Sequence, residues 1–282
     1  MKKLSRKESF FRLQKAGERV GVFDSGVGGL TVLAACMRRL PSQKFFYYGD
    51  NTHAPYGSRP PEEVERYVRE AMNVFLRLRV SAAVLACNTA TAVCAEKLRK
   101  EFPFPILGME PAVAPAARVC RNVLVLATPL TASSRRLHDL IARFPDCRFR
   151  VAALPDLAGA IERYFALREP LTLSDHLPEI ACDGVVLGCT HYAFFRREIG
   201  MFYHAPVFDG AQGTANHLAE LLETSKNCSN SGTDDHPQPQ YNPNKCFIEK
   251  YKKTTKNEVV FLGTSLKVNK QALMANICFK NF

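Results

Sequence analysis

From Val20 onward the chain alternates short apolar runs with longer amphipathic stretches. The apolar runs have the length and the β-branched or aromatic content of buried strands. They are RVGVF, KFFYY and AAVLA, followed after a break by NVLVLA, RFRVAAL and GVVLG. Between them lie stretches with helical periodicity, such as GGLTVLAACMRRL, PEEVERYVREAMNVFLRLR and TASSRRLHDLIARF. This alternation of strand and helix predicts parallel sheets that are covered by helices on both faces.

The pattern restarts after the Pro- and Ala-rich segment 108–117, and both halves have the same order of elements. We therefore expect an α/β fold of two pseudo-symmetric, doubly wound parallel-sheet domains, with the active site in the cleft between them. The first domain would comprise residues 20–111 plus 209–282, and the second domain residues 112–208. Near the end of the chain, EVVFLG and SLKVNKQALMANICF are expected to form a last strand and a last helix.

The composition is that of an ordinary globular protein, with 46% hydrophobic and 23% charged residues, but the net charge is +11. This excess lies at the two ends, because residues 1–20 carry a net charge of +5 and residues 245–282 carry +6, whereas residues 21–244 have 23 charges of each sign. A nucleic-acid-binding domain would carry its basic stripe on the folded body, so we do not expect nucleic acid as a partner. We expect a basic N-terminal extension at 1–19 and a mobile, polar insert at 225–244.

Membrane insertion and secretion are not expected. No apolar run approaches the roughly 18 residues of a membrane helix, and the first residues lack the apolar core of a secretory signal. The ten cysteines are scattered and include no CxxC pair, which argues against a disulfide framework and against a zinc site. We therefore expect a cytoplasmic protein without a metal ion, in which most cysteines are small buried hydrophobic residues.

Two cysteines differ from the rest, because each follows an apolar strand and starts a helix. Cys87 lies in LACNTATAV and Cys189 in VLGCTHYAF. A helix N-terminus lowers the pKa of a thiol below its ordinary value of about 8.5. Each thiol also has a neighbour that can handle a proton: His191 lies two residues after Cys189, and Asp24 is expected to face Cys87 across adjacent strands. An acid and a base on opposite faces of one carbon atom are what stereoinversion requires.

Taken singly, the other polar turns have ordinary structural explanations. The GVGG turn resembles a phosphate loop, but it lacks both GxGxxG spacing and the GK[ST] ending. Asp24 could simply cap the helix that follows it, and a single histidine such as His191 is more often structural than catalytic. Only the two cysteines together favour a particular chemistry.

Four blocks resemble, in their order and spacing, the signature blocks of cofactor-independent glutamate racemases of the aspartate/glutamate racemase family. They are GVFDSGVGGLTVL, YYGDNTHAPYGSR, LACNTATAV and LGCTHY, and GMEPAVAPA and ATPLTASS also match. The resemblance covers residues 20–224. It implies an isomerase that interconverts L- and D-glutamate without a cofactor or metal ion. It also implies a supply of D-glutamate for peptidoglycan precursors, and hence for cell wall biogenesis and cell shape.

The resemblance also implies roles for individual residues. Cys87 would take the proton from D-glutamate and Cys189 would take it from L-glutamate, with Asp24 and His191 assisting beside them. The substrate contacts that it implies are Asp24, Ser25, Tyr56, Gly57, Asn88, Thr89, Thr131, Thr190 and His191.

Several alternatives stay open at this stage. An aspartate racemase or another two-cysteine isomerase would share the cysteines, although CNTATAV and PYGS favour glutamate. A homodimer is expected. A contact with DNA gyrase, described for some members of the family, is a lesser alternative that the basic ends would suit as well as they suit solubility. The insert at 225–244 and the Lys-rich ending match the family poorly.

Overall fold

The structure is a computed structural model that describes residues 19–228, 247–252 and 258–263. The extension at 1–18, most of the predicted insert at 225–244 and the predicted C-terminal helix lie outside these ranges. The first residues of that insert, 225–228, continue a helix. The predicted mobility of the insert and the boundaries of the two domains stay predictions.

The first sheet has six strands in the order β4–β3–β1–β2–β10–β9. Five of them run parallel, and only β9, at the edge, pairs antiparallel with its neighbour β10. The strands are β1 (Arg19–Asp24), β2 (Lys44–Gly49), β3 (Ala82–Leu85), β4 (Ile106–Gly108), β9 (Phe247–Lys252) and β10 (Glu258–Gly263).

Helices cover both faces of the first sheet. α1 (Leu30–Arg39) and α9 (Ala211–Cys228) pack on one face, where they share a core with Val20 and Val22 of β1. α2 (Pro61–Arg77) and α3 (Asn88–Glu101) pack on the other face. Strands that are buried on both sides explain why their sequences are almost continuously apolar.

The second sheet has four parallel strands in the order β6–β5–β7–β8. They are β5 (Asn122–Ala127), β6 (Arg148–Ala153), β7 (Gly184–Gly188) and β8 (Val207–Asp209). The α-helices around it are α4 (Val113–Val119), α5 (Pro129–Ala132), α6 (Arg135–Ile141), α7 (Leu157–Leu167) and α8 (Arg196–Tyr203). Two 3₁₀ helices cover Leu173–His176 and Thr190–Phe195.

The two sheets repeat one arrangement, which confirms the predicted fold class. In each, the first strand along the chain lies between the second and the third, and the fourth strand lies beyond the third. Strands β3 and β7 therefore occupy equivalent places. Because Cys87 follows β3 and Cys189 follows β7, the repeat delivers a thiol twice to the same position of the fold.

Five elements differ from the sequence prediction, and two of them, β8 and α9, lie in a stretch for which no strand or helix was predicted. The Pro- and Ala-rich segment 108–117, for which no helix was predicted, contains the start of α4. This helix tolerates Pro115 because its first turn needs no backbone N–H from that residue. β4 and β9 were not predicted; β4 has only three residues, and β9, FIEKYK, is rich in charge.

The helices have the character of surface helices that pack on sheets. α2 begins at Pro61, followed by Glu62 and Glu63, which the positive end of the helix dipole favours. Its buried residues recur on one face and meet the sheet. Within the described ranges, no helix has both the length and the apolar character that crossing a bilayer demands.

The tight contact between β1 and α2 generates a stability prediction. A Cβ atom at Gly21 would lie 2.6 Å from the Phe75 ring, deep in the core. We expect Gly21→Ala to lower the free energy of unfolding by about 1–3 kcal/mol, because the ring must move in a filled interior. The measurement is urea unfolding followed by circular dichroism.

Gly213 in α9 supplies the matched control, because nothing lies within 4 Å of a Cβ atom there. Gly213→Ala should leave the free energy of unfolding unchanged or raise it by up to about 1 kcal/mol, since alanine favours the helix. The same loss of stability in both variants would contradict the packing argument.

Candidate active site

A small cavity lies where the two halves of the chain meet. Its walls come from segments that follow the carboxyl ends of strands in both sheets, the usual place for a ligand in this architecture. The lining residues are Ser25, Pro55, Tyr56, Gly57, Cys87, Asn88, Thr89, Thr128, Ala158, Cys189, Thr190 and His191. Of the residues predicted for the site, all but Asp24 and Thr131 line this cavity.

Cys87 is the N-cap residue of α3, as predicted. Its sulfur accepts the N–H of Ala90 at 3.4 Å and donates to Ser25 Oγ at 3.7 Å. The prediction of a lowered thiol pKa is wrong here. Burial, reinforced by the negative charge of Asp24, raises the pKa of the Cys87 thiol to about 12 and outweighs the helix N-terminus.

Cys189 lies at the equivalent position after β7, but its surroundings differ from the prediction. The segment that follows is the 3₁₀ helix Thr190–Phe195, and the Cys189 side chain makes no capping hydrogen bond to it. Its polar contact is with His191 instead, whose Nδ1 lies 3.7 Å from the Cys189 sulfur. The sulfur therefore lies beside an imidazole ring rather than at the end of an α-helix.

His191 connects Cys189 to a carboxylate that the sequence did not reveal. Its Nε2 lies 2.6 Å from Glu162 Oε1, which also accepts the backbone N–H of Val27 at 2.8 Å. Burial alone would lower the pKa of His191, but the contacts with Cys189 and Glu162 raise it well above its ordinary value. The two ring nitrogens of His191 thus face groups that favour the protonated imidazole, with Glu162 on one side and Cys189 on the other.

Asp24 lies behind the cavity wall and is fully buried. Its carboxylate accepts the N–H of Gly26 at 2.9 Å and the hydroxyl of Thr190 at 3.1 Å, so it joins the two halves of the chain. Burial raises the pKa of Asp24, although the positive charge of His191 acts in the opposite direction. Asp24 does not cap α1, whose N-cap residue is Gly29.

The amide of Asn88 is the clearest sign of a ligand-binding group. Both its oxygen and its nitrogen are buried without a hydrogen-bond partner among the described residues, although Asn88 lines the cavity. Buried polar groups are nearly always hydrogen-bonded, so this amide is suited to bind a polar ligand. It could accept one hydrogen bond and donate another.

Three threonine hydroxyls form a second polar group on the cavity wall. Thr89 Oγ1 lies 2.9 Å from Thr128 Oγ1 and 3.3 Å from Thr131 Oγ1, and the latter two are 3.1 Å apart. Thr131 thus supports the wall from behind. Thr128, which the sequence analysis missed, caps α5, and its signal was the turn ATPLTASS.

The side chains that line the cavity include no basic residue. Of the described residues, no lysine or arginine lines it, and its polar groups are thiols, hydroxyls, an amide and one imidazole. Nor do three His, Cys, Asp or Glu side chains in the described ranges group as ligands of a metal ion. The arrangement is suited to bind a small polar molecule, and it places one thiol from each half of the fold on the wall of a single cavity.

Comparison with known proteins agrees with this geometry. The family described as Asp/Glu/hydantoin racemase matches residues 30–218. A glutamate racemase of Halothermothrix orenii is 39% identical over 215 residues, which are 72% of this chain and 85% of the relative. Glutamate racemase 2 of Bacillus subtilis is 34% identical over 220 residues, 72% of this chain and 82% of the relative.

The solved structures that this chain resembles belong to the same family. Escherichia coli glutamate racemase, in complex with L-glutamate and the activator UDP-MurNAc-Ala, has a TM-score of 0.65 at 34% identity, covering 73% of this chain and 83% of that one. The Thermus thermophilus enzyme, in complex with beta-chloro-D-alanine, has a TM-score of 0.60 at 33% identity, covering 77% and 84%. The resemblance found in the sequence is confirmed. This chain belongs to the family of Asp/Glu/hydantoin racemases and is an isomerase.

Proposed function

We propose that this protein interconverts L- and D-glutamate, with Cys87 and Cys189 as the two acid/base groups. One thiol removes the proton from Cα, and the other returns a proton on the opposite face. The observation that supports this most strongly is that one thiol from each half of the fold lines a single cavity. The relatives that match this chain at 34–39% identity are glutamate racemases.

When L-glutamate is the substrate, Cys87 would start as the proton donor. Because the pKa of Cys87 is raised to about 12, its side chain is a thiol at neutral pH and is ready to donate a proton. Cys189 would take the proton from L-glutamate while Cys87 protonates the other face. In the opposite direction, Cys87 must first lose its proton and would then act on D-glutamate.

His191 and Glu162 would assist on the Cys189 side. The ring is held at both nitrogens, with Glu162 Oε1 at 2.6 Å from Nε2 and the Cys189 sulfur at 3.7 Å from Nδ1. This fixes the ring so that a proton can pass between Nδ1 and the sulfur. Asp24 would assist differently near Cys87, because its negative charge disfavours the thiolate and so favours the proton-donating thiol.

The carbanion is the difficult intermediate, because the Cα proton of an amino acid is far less acidic than a thiol. Preorganised hydrogen-bond donors in a water-poor cavity can stabilise such developing charge. We assign this task to the neutral donors of the cavity wall, which are the unpartnered amide of Asn88 and the hydroxyls of Ser25, Thr89, Thr128 and Thr190. Tyr56 and Gly57 would contact the substrate from the opposite wall.

The assay that tests the function follows the optical activity of each enantiomer of glutamate and of aspartate, without any added cofactor. We expect the optical activity of both glutamate enantiomers to decay, whereas the optical activity of aspartate should change little. Preferential racemisation of aspartate would favour the alternative of an aspartate racemase. Racemisation of neither amino acid would overturn the proposal.

In a cell, D-glutamate would supply peptidoglycan precursor synthesis in the cytoplasm. The homodimer and the gyrase contact stay predictions.

Removing either thiol should abolish racemisation in both directions. In Cys87→Ser and in Cys189→Ser, one face of Cα lacks its acid/base group, so we expect kcat to fall by at least about a hundredfold. Circular dichroism with each glutamate enantiomer measures this. Cys36→Ser is the control, because that buried cysteine packs in the core of the first sheet. Near wild-type turnover in either active-site variant would contradict the mechanism.

Each single variant should still carry out a one-sided reaction. A chlorinated glutamate analogue loses HCl once its Cα proton is removed, which requires a base on one face only. The Cys87 variant should act on the L form and the Cys189 variant on the D form. Chloride release from the two enantiomers measures this preference, and the same hand for both variants would show that the thiols do not flank Cα.

Glu162→Gln tests the positioning of His191. The amide cannot hold the imidazolium as the carboxylate does, so we expect kcat/KM to fall by about tenfold or more. The fall must be equal in both directions, because the equilibrium constant between enantiomers is fixed. Glu169→Gln is the matched control, since Glu169 is exposed and pairs with Arg163. An unchanged kcat/KM in Glu162→Gln would contradict the role of Glu162.

The raised pKa of Cys87 predicts how its reactivity depends on pH. Iodoacetamide reacts with the thiolate, and below a pKa of about 12 the thiolate fraction rises with pH. Alkylation of Cys87, followed by mass spectrometry of its peptide, should therefore accelerate about tenfold per unit from about pH 7 to about pH 10. A plateau near pH 8.5, the ordinary pKa of cysteine, would contradict the burial argument.

A further inference from the structure

A buried cluster outside the acid/base machinery reaches the cavity through Tyr56. The Tyr56 hydroxyl donates to Asp50 Oδ2 at 2.6 Å, and His53 Nδ1 lies 2.9 Å from both oxygens of the same carboxylate. Asp50 and Tyr56 are almost completely buried, whereas 31% of the His53 side chain is exposed. The cluster therefore leads from the surface of the protein to the wall of the cavity.

The surroundings of His53 hold its ring in one orientation. The imidazole stacks on Tyr67 with ring centroids 3.8 Å apart, and Arg59 Nε donates to the His53 carbonyl. Arg66 lies over the same Tyr67 ring at 4.4 Å. With the ring fixed in this way, Nδ1 faces the carboxylate, and it must carry the proton in order to donate.

The wall that this cluster supports is also a point of contact between the two halves of the chain. Gly57 follows Tyr56, and its carbonyl accepts the backbone N–H of Leu130 at 3.1 Å. A Cβ atom on Gly57 would lie 2.5 Å from Thr128 Cβ. In addition, the backbone N–H of Asp50 donates to the carbonyl of Asp24. A shift of Tyr56 would therefore disturb the cavity wall both where Gly57 meets the second half of the chain and where Asp50 meets Asp24.

We propose that Asp50 and His53 are positioning residues for substrate binding, which hold Tyr56 and Gly57 in the cavity wall through the Tyr56 hydroxyl. A buried carboxylate needs donors to offset the cost of burial, and His53 supplies a charge-assisted hydrogen bond beside that of Tyr56. The kinetic part of this inference rests on the proposed function. Neither residue would exchange protons with Cα.

The role predicts a particular kinetic effect. A wall that contacts the substrate equally in the ground state and in the transition state affects KM and leaves kcat unchanged. We therefore expect loss of the His53 hydrogen bond to raise KM for both glutamate enantiomers by about tenfold, with kcat changed by less than about twofold. A purely structural role would lower the folded fraction, and with it the apparent kcat.

Two substitutions separate the hydrogen bond from the stacking. His53→Phe keeps an aromatic ring on Tyr67 but removes the Nδ1 donor, whereas His53→Asn loses the ring but can donate from its amide to Asp50. The expected result is a raised KM in His53→Phe and a KM within about twofold of wild type in His53→Asn. His176→Phe is the matched control, because His176 is also half-buried but lies on the 3₁₀ helix Leu173–His176, away from the cavity.

A double-mutant cycle tests whether His53 acts through Tyr56. Tyr56→Phe removes the hydroxyl that Asp50 holds, so it should raise KM to a similar extent as His53→Phe. If the two residues act as one unit, the double variant should have a KM close to that of the single variants. Independent effects would multiply, giving an increase of about a hundredfold. Any of three outcomes would overturn the inference. They are effects on KM that multiply in the double variant, an unchanged KM in His53→Phe, and a KM in His53→Asn as high as in His53→Phe.

A readout that needs no substrate separates this inference from the proposed function. Cys87 lines the same cavity as Tyr56, so a loosened wall should expose its sulfur to iodoacetamide. Alkylation of Cys87 should be about threefold faster or more in His53→Phe than in wild type and His53→Asn. If wild type does not racemise glutamate, the proposed function is wrong, and alkylation alone decides the role of the pair. Equal alkylation in all three proteins would overturn it.

Discussion

Two acid/base groups can act on opposite faces of one carbon atom only if separate parts of the chain deliver them to one cavity. The repeated sheet meets this constraint, because β3 and β7 occupy equivalent places and each ends at a cysteine. Contacts across the halves then hold the two ends together. Thr190 donates to Asp24, the N–H of Val27 donates to Glu162, and the hydroxyls of Thr89 and Thr128 meet. Three of the residues that make these contacts across the halves, Thr89, Thr128 and Thr190, also line the cavity.

Burial dominates the electrostatics of the site and gives the two thiols different surroundings. The same desolvation raises the pKa values of Asp24 and Cys87, and the charge of Asp24 adds to the effect on Cys87. On the Cys189 side, the contacts of His191 with Glu162 and Cys189 outweigh burial and raise the pKa of the imidazole. The fold is nearly symmetric, but the surroundings of the two thiols are not. In the mechanism that we propose, the raised pKa of Cys87 suits it to start as the acid.

The sequence predicted what depends on local pattern. Continuous apolar runs predicted the strands, and the family resemblance of the turns that follow them implied most of the cavity, including Ser25, Asn88 and Thr190. Glu162 was missed because its partner His191 is 29 positions away, and only the packing of α7 against the segment after β7 joins them. The raised pKa of Cys87 could not be predicted either, because it depends on how completely the surrounding chain excludes water. Both features depend on tertiary contacts between segments that are distant in the sequence.

The central claim is that two groups, and not one, exchange protons with Cα. Racemisation of L-glutamate in D₂O, followed at early times by mass spectrometry of the separated enantiomers, tests it most directly. Our account predicts deuterium at Cα of the D-glutamate product and almost none in the remaining L-glutamate, because Cys87 delivers a solvent-derived deuteron while Cys189 retains the proton that it removed. Deuterium that enters both enantiomers equally from the start would indicate a single exchanging base and would contradict the account.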